Sequence, residues 1–468
     1  MVRGRGPLRE NPRAGLARPV RPLGEGHARR RHHDEVAPVP GLPPALHPEP
    51  VPVPGPARPA PGAGRGEGGP PRGDAPPPPP RGRRRPGGPR RGRRGDGLPA
   101  GPARAPGPRV GDGARPDGAP VVPGTTVPPR LVVSLVTHNE SRDVERLLPT
   151  LFSQTFRDFA VEATDNASED GSRSTLAAFQ KASPVPFRIH ASRENLGFTG
   201  GHNRNIEAAL ASGASWVLVL NADVVLAPPF LERLLADAEA PGRERAGAFT
   251  GKILRADGPD LVPTGTIDTV GIWMTRGGRH FDLGGGEPDD GRYDAPAEVF
   301  GVSGCVALYR SAALSDVRIA TGFFDDDFFL YREDVDLAWR LRGRGWAARC
   351  VPAAVAWHRR RNLPERRREM SRIANLHSVK NRFLLRVNNA GREHLRSTFA
   401  ATFARDLLVV GGCLTFERSS WAGLKWLAEN RTRLLEKRKG ILSRRQVGDR
   451  ELLRWFLPSP EGARIPEA

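Results

Sequence analysis

The sequence predicts an α/β fold: a mainly parallel sheet flanked by helices, with a coreless tail ahead of it and a helical region behind it. Three observations predict this. From residue 131 to 226, short apolar runs that end in polar residues alternate with segments of helical spacing. Before residue 130 the chain is mostly Pro, Gly, Ala and Arg. Beyond residue 372, apolar and basic residues share helical periodicity.

The tail comes first. Residues 1–129 hold 23 Arg, no Lys and 10 acidic residues, a net charge of +13 out of +20 for the 468-residue chain. The stretch "RGEGGPPRGDAPPPPPRGRRRPGGPRRGRRGDG" is typical of it. So little apolar surface cannot offset the entropy of ordering, and the tail is predicted to be disordered. A basic segment attracts nucleic acid or anionic membrane by counterion release. This one lacks the interleaved aromatics on which single strands stack, so nucleic acid is not expected as a partner. Its first residues hold no apolar block of roughly 7–15 residues, hence no signal peptide is expected. Cys305, Cys350 and Cys413 form no CxxC pair, which suggests neither zinc nor a disulfide framework and fits a reducing, cytoplasmic compartment. No apolar run reaches the ~18–20 residues that span a bilayer. The longest, "DLLVVGGCLTF" (406–416), reads as a packed helix or a membrane-surface contact.

The folded part opens with "LVVSLVTHN" (131–139), which reads as a buried parallel strand opening into a site. "SRDVERLLPTLFSQ" (141–154) follows as a helix with Ser141 as its N-cap. "FAVEATDNASEDGS" (159–172) is a strand running into a polar loop, and "RSTLAAFQKA" is the next helix. "FRIHAS" (187–192) is a third strand, "GHNRNIEAALASGA" (201–214) a helix, and "WVLVLNADVVL" (216–226) a fourth strand. Alternation of this kind implies a parallel sheet with right-handed crossovers. From 246 to 310 the pattern is strand-like and Gly-rich, extending the sheet with loops over the site. The remainder, from "NLHSVKNRFLLRVNN" to "DRELLRWFLP", is helical and amphipathic. The expected domains are a tail at 1–129, a catalytic domain at 130–362 and a helical region at 363–468.

Ligands of such sheets bind outside the carboxyl ends of the strands. Those ends carry Thr137-His138-Asn139, Thr164-Asp165-Asn166 and Asn221-Ala222-Asp223, three polar termini that together predict a polar pocket. Asp223 can hold a divalent cation that bridges a diphosphate; as a scaffold residue it would instead cap the helix in "PPFLERLLADAE". The loop "RENLGFTGGHNRNI" (193–206) is Gly-rich and leads into a helix, so its amides can meet a phosphate or sugar. It does not match GxGxxG, which disfavours a dinucleotide-binding dehydrogenase.

In "GFFDDDFFLYREDVDLAWR" (322–340), Asp325, Asp326, Asp327, Glu333, Asp334 and Asp336 crowd among large aromatics. Like charges this close must be compensated or partly neutralised. Asp336 and Arg340 have the spacing of a helical ion pair. Glu333-Asp334 is the candidate active-site pair, with the neighbouring rings positioned to raise a carboxylate pKa for base work. His358 ends the apolar strand in "AVAWH" and suits a nitrogen ligand beside a metal carboxylate.

"VSLVTHNESRDVERLLPTLFSQ", "TDNASEDGS", "ENLGFTGGHNRNI", "VLVLNADV", "FFLYREDVDLAWRLRGRGW" and "VAWH", in this order over roughly 131–390, resemble the family 2 inverting glycosyltransferases, especially their bacterial rhamnosyltransferase-like branch. The resemblance implies a GT-A fold, a nucleotide-diphospho-sugar donor and a divalent metal, Mg2+ or Mn2+. Carried over by position, Thr137, Asn139 and Asp165 would contact the nucleotide. Asn195, Gly200 and Asn203 of the glycine-rich loop, and Asn221 with Asp223 at the strand end, would complete the nucleotide-sugar site. Asp223 matches the last carboxylate of a DxD-type motif whose first position is Asn221 here, which leaves the metal leaning on Asp223 and His358. Asp334 would be the catalytic base, with Glu333 beside it. The implied acceptor is a saccharide or lipid-linked saccharide in cell-surface polysaccharide or glycolipid synthesis. The C-terminal helices would allow a peripheral contact with the inner face of the membrane. Rival readings are a nucleotidyltransferase, which lacks its basic glycine-rich signature near residue 140; a binding protein led by the tail; and an inactive sugar-binding relative.

Overall fold

Six strands that run one way build the centre of the molecule, and the innermost of them, Leu131–Thr137 and Trp216–Asn221, are buried on both faces. The computed structural model describes residues 128–360, 371–415 and 418–457; all but the last two residues of the predicted tail lie outside them. The described residues belong to one compact unit spanning 113–468.

Strand β1 (Leu131–Thr137) lies between β2 (Phe159–Asp165) and β4 (Trp216–Asn221), parallel to both, and β3 (Phe187–Ala191) pairs parallel with β2. Alternation along β1 explains the two layers above and below. Leu131, Val133 and Leu135 enter the core shared with α1 (Ser141–Phe152), α2 (Ser172–Lys181) and α4 (Phe230–Ala238). Val132 faces the other way, into the core shared with α3 (Gly197–Ala211) and α6 (Glu333–Gly343). Trp216, Leu218 and Leu220 of β4 take the first side and Val217 and Val219 the second. This two-sided burial is what a near-continuous apolar run in a parallel strand encodes.

Beyond β4 the sheet becomes mixed. Its order is β10-β12-β6-β11-β4-β1-β2-β3, where β6 is Ala246–Asp257, β10 is Ala297–Val299, β11 is Val306–Arg310 and β12 is Ala347–His358. β11 is antiparallel to both β4 and β6, so β6 and its parallel partner β12 return to the direction of β1. β5 (Val224–Leu226) pairs antiparallel with β12, and β7 (Val262–Thr269) antiparallel with β6. A second sheet of three strands joins β8 (Ile272–Thr275), β9 (His280–Asp282) and the C-terminal β13 (Phe456–Leu457). The short α5 (Ser311–Val317) follows β11. After residue 370 come α7 (Arg372–Asn389), α8 (Arg392–Thr415), α9 (Trp421–Glu429), α10 (Arg431–Ser443) and α11 (Asp449–Leu452).

Three sequence expectations shift. The predicted fourth strand over 216–226 is two strands, because the chain turns at Asn221-Ala222-Asp223 and Val224 pairs with His358 of β12. α3 begins at Gly197, four residues before the predicted start, so much of the expected glycine loop is the first turn of a helix. Ser141 does not cap α1: Glu140 holds the cap position and makes no side-chain capping bond, and the Ser141 hydroxyl lies 2.7 Å from Thr175 Oγ1.

Candidate functional site

Parallel pairing brings the polar ends of β1 and β2 side by side. Thr137 stands opposite Asp165 in the register, and both are buried. Thr137 Oγ1 and Asp165 Oδ1 have no hydrogen-bond partner among the described residues. A buried polar atom left unpaired costs about 1–3 kcal/mol, which a bound ligand can recover. Just beyond, Asn139 adopts a left-handed φ of 59°, and its side-chain carbonyl accepts from Glu169 N at 2.8 Å.

The loop ahead of α3 is moored to this rim. Asn166 donates to Gly197 O at 2.8 Å and accepts from Leu196 N at 3.2 Å, and Asn195 Oδ1 accepts from Gly197 N at 2.8 Å. Gly200 serves packing: a Cβ there would lie 2.8 Å from the Leu196 side chain. Asn203 has its amide fully occupied elsewhere. Its oxygen accepts from Phe323 N and Phe324 N at 3.0 and 2.9 Å, and its nitrogen donates to Phe324 O and Asp326 Oδ1, both at 2.8 Å. These bonds make Asn203 the shaper of the turn before the acidic run.

The next part of the rim is built by the pairing of β5 with β12, which sets Val224 opposite His358. His358 Nε2 lies 3.4 Å from Asp223 Oδ1, while its Nδ1 donates to Asp268 Oδ2 at 2.8 Å. The carboxylate of Asp268 can only accept, so it fixes the proton on Nδ1 and turns Nε2 towards Asp223. Burial alone would depress the His358 pKa; the carboxylates of Asp223 and Asp268, one at each ring nitrogen, reverse this and hold it well above the ordinary value. Asp268, held below the ordinary carboxylate range against its burial by His358 and Arg360, was not foreseen. Its one signal is an acidic residue in the otherwise apolar and small stretch "GTIDTVG". Asp268, Cys305 and His358 bring ligand-capable atoms within 4.8 Å of one another. Burial lifts the Cys305 thiol to about 11, so it stays protonated and is a poor ligand. The donor set that fits a hard divalent ion is the Asp223 carboxylate with His358 Nε2, supported from behind by Asp268; a metal there would displace the Nε2 proton that Asp223 otherwise holds. Asp223 does not cap α4, whose cap position is Pro229.

The acidic pair opens α6. Asp334 Oδ2 accepts from Gly304 N at 3.1 Å and Oδ1 from Val335 N at 2.8 Å. Burial pushes its pKa up to about 6 despite these bonds. Glu333 is raised well above the usual range by burial first and by the Asp334 charge second, and its Oε2 is buried without a partner among the described residues. Gly304 and Cys305 join the two halves of the rim: Gly304 N reaches Asp334, the Cys305 thiol sits with His358 and Asp268, and Cys305 O accepts from Asn221 N at 2.9 Å. The structure thus brings Asn221, Asp223, His358, Glu333 and Asp334 to one edge of the sheet.

The other acidic residues of the run are structural. Asp336 pairs with Arg340 at 2.8 Å, both buried, as the spacing suggested. Asp325 and Asp327 form ion pairs with Lys437, and Asp327 also with Arg433 at 2.8 Å.

Comparison with known proteins adds three findings. Residues 132–318 match the model of the family described as Glycosyl transferase family 2. Over 246 residues the chain is 34% identical to the N-acetylglucosaminyl-diphospho-decaprenol L-rhamnosyltransferase of Mycobacterium tuberculosis, in two strains, covering 49% of this chain and 75% of that protein. Among solved structures, GalNAc-T7 with UDP, GalNAc and Mn2+ is similar at 14% identity and a TM-score of 0.44, over 56% of this chain and 48% of the other. S. aureus TarS 1–349 in complex with UDP is similar at 14% identity and 0.40, over 61% and 75%. This chain therefore spans about half the length of the first of these structures.

Proposed function

The chain belongs to glycosyl transferase family 2, and from that premise we propose that this glycosyltransferase moves a sugar with inversion from a nucleotide-diphospho-sugar to a hydroxyl of a lipid-linked saccharide. We place the reaction in the synthesis of a cell-surface polysaccharide or glycolipid. The observation that carries this reading is the shared rim, where Asp223 and His358 face one another and Asp334 is tied to them through Gly304 and Cys305.

Asp334 takes the proton of the acceptor hydroxyl. The freed oxygen attacks the anomeric carbon from the face opposite the diphosphate, the bond from that carbon to the diphosphate oxygen breaks, and configuration inverts. A carboxylate titrating near 6 is a competent base at neutral pH. Burial and the Asp334 charge push the Glu333 pKa well above the usual range, so it holds its proton more firmly than Asp334 does. Thr137 and Asp165 supply the unpaired polar atoms that receive the nucleotide. Asp223 and His358 would hold Mg2+ or Mn2+, which offsets charge on the leaving diphosphate. One base suffices because the leaving group is already activated, whereas a hydrolase needs a second, acidic carboxyl group.

The relative is named for an N-acetylglucosaminyl-diphospho-decaprenol acceptor and a rhamnosyl group, so those are the first substrates to offer. The test is release of nucleoside diphosphate from a panel of nucleotide sugars that includes activated L-rhamnose, with an N-acetylglucosaminyl-diphospho-polyprenol, with and without Mg2+ or Mn2+. Acceptor-dependent release is expected with one donor. No release with any donor in either metal would overturn the reading.

A further inference from the structure

α8 is turned inside out. The stripe it presents to the protein is polar: His394, Thr398 and Thr402 are buried, and Thr398 and Thr402 donate to carbonyls one turn back, both at 2.9 Å. Asp406 continues this stripe as the ion-pair partner of Arg386 in α7. The outward face carries Leu395, Phe399, Phe403, Leu407 and Leu408, exposed at 42, 63, 52, 58 and 78%. Four of these recur every fourth residue on one side, and the Phe399 and Phe403 rings stack at 5.6 Å. Ala400, Ala401 and Ala404 are exposed between them, and a Cβ on Gly411 or Gly412 would meet nothing within 4 Å. Beyond Arg396, no exposed residue described in this helix is charged. At 1.5 Å per residue that is an uncharged face of roughly 27 Å, which soluble surfaces seldom leave uncovered. No helix among the described residues is long and apolar enough to cross a membrane.

Charge at its border says what covers it. The turn between β8 and β9 packs on this helix: a Cβ on Gly277 would lie 3.6 Å from Arg405 Cδ and 3.7 Å from Ala401 O. Arg276 and Arg279 stand exposed on that turn. β9 then leads to the catalytic rim, where His280 Nδ1 is 3.3 Å from Arg332 Nη1 and Asp282 pairs with Arg360 at 2.7 Å. Moving from α8 inwards, the order is apolar face, arginine turn, catalytic base. A lipid-linked saccharide has the same order of parts: hydrocarbon in the bilayer, diphosphate at headgroup level, hydroxyl beyond. A second copy docked on this face would bring a like-charged arginine turn to the same seam, whereas anionic headgroups neutralise it.

We propose that the exposed face of α8 lies in the interfacial layer of an anionic bilayer, with Arg276 and Arg279 at the headgroups. The matching order of parts rests on the lipid-linked-acceptor reading; the apolar face does not. The test is flotation of the full chain with phosphatidylcholine vesicles containing 30% phosphatidylglycerol, for the wild type and a Phe399→Ser, Phe403→Ser, Leu407→Ser variant. The basic tail also binds such vesicles, so the deciding comparison is at 1 M salt, where screening shortens to ~3 Å and apolar insertion persists. The wild type is expected to float there and the variant to lose at least tenfold in partitioning, with unchanged thermal unfolding and unchanged turnover of a short-chain, water-soluble acceptor. Equal flotation of both proteins, no flotation of the wild type, or a wild-type dimer that the variant splits would each overturn the proposal. Flotation lost in the variant, with no turnover of any diphospholipid acceptor by the wild type, would sustain the membrane face and sink the acceptor reading alone.

Discussion

At Asp334 one carboxylate meets two opposing demands. As the proposed base it must be charged to take a proton, and it sits where charge is costly. Its folded pKa of about 6 exceeds the ordinary aspartate value near ~3.9, so between those values the folded chain holds a proton that the unfolded chain has released. Stability contributed by this group is full below the unfolded value and is lost as pH rises through the folded one. Asp334→Asn should therefore cut kcat by about 100-fold to 10,000-fold while leaving donor affinity in place and raising the melting temperature at pH 8. The wild-type kcat/KM should fall as pH drops through about 6. A variant that turns over normally, or a rate flat from pH 8 to 5, would remove Asp334 from the chemistry. Asp223→Ala should act differently, weakening donor binding in isothermal titration, since that carboxylate faces His358 across the rim. Legibility at this scale followed position. Thr137, Asp165, Asp223 and His358 sit at strand ends, and strand ends can be read from apolar runs. Asp268 could not be read as a support for His358, because its meaning comes from β7 and β12 meeting 90 residues apart. The part Asn203 plays in the turn at 323–326 could not be read either, because its partners lie about 120 residues along the chain.

Elements reach the site through their connections, and the segment before α6 shows it. Phe329, Tyr331 and Arg332 all hold left-handed φ angles, 66°, 67° and 70°, with no glycine among them. Each such residue costs on the order of 1–3 kcal/mol and persists only if its surroundings impose it. Asn381 of α7 imposes it: its buried amide nitrogen lies 3.0, 2.7 and 2.8 Å from the carbonyls of Phe328, Leu330 and Tyr331. On the opposite side, Thr199 N donates to Phe329 O at 3.3 Å, and a Cβ on Gly197 would lie 2.5 Å from that oxygen. The strained segment delivers Glu333 and Asp334 to the rim. Asn381→Ala should therefore lower kcat by about tenfold or more at near-constant donor KM, because a shift of an ångström in a base is costly in rate. Steady-state kinetics beside a melting curve separates this from simple unfolding; a change in KM alone would argue against positioning. The sequence showed the strands and helices but misplaced the start of α3. Gly197, Gly200 and Gly201 look like a loop by propensity, yet each admits a close neighbour that a side chain would strike.

For the molecule as a whole, the acidic run has a second use that binds the C-terminal helices to the catalytic sheet. Asp325 and Asp327 reach Lys437 and Arg433 of α10, and Asp336 accepts from Asn388 and Asn389 of α7 at 3.0 and 2.7 Å. We propose that the region at 363–468 is part of the catalytic body rather than a separable module. Only the local pair, Asp336 with Arg340, could be read from spacing, since partners 52 to 112 residues apart leave no periodic trace. Asp325 is fully buried, so removing Lys437 takes away its ion pair and leaves only neutral donors, Thr321, Asn388 and the Asp327 amide, to hold the charge. Lys437→Met should cost about 3–5 kcal/mol in urea unfolding, and adding Asp325→Asn should restore part of it. The same network sets a pH dependence. Burial raises the pKa of Asp327, but Arg433 and Lys437 outweigh it and hold the folded value below the ordinary one. That contribution is present above the unfolded pKa and is lost as pH falls through the folded one, so the wild type should lose stability on acidification below pH ~4. Lys437→Met should lose less over the same interval, having already forfeited part of the interaction. Parallel urea curves for the two proteins from pH 6 to 3 measure this. If the gap between them does not narrow as pH falls, the ion pairs are not what fastens α10 to the acidic run.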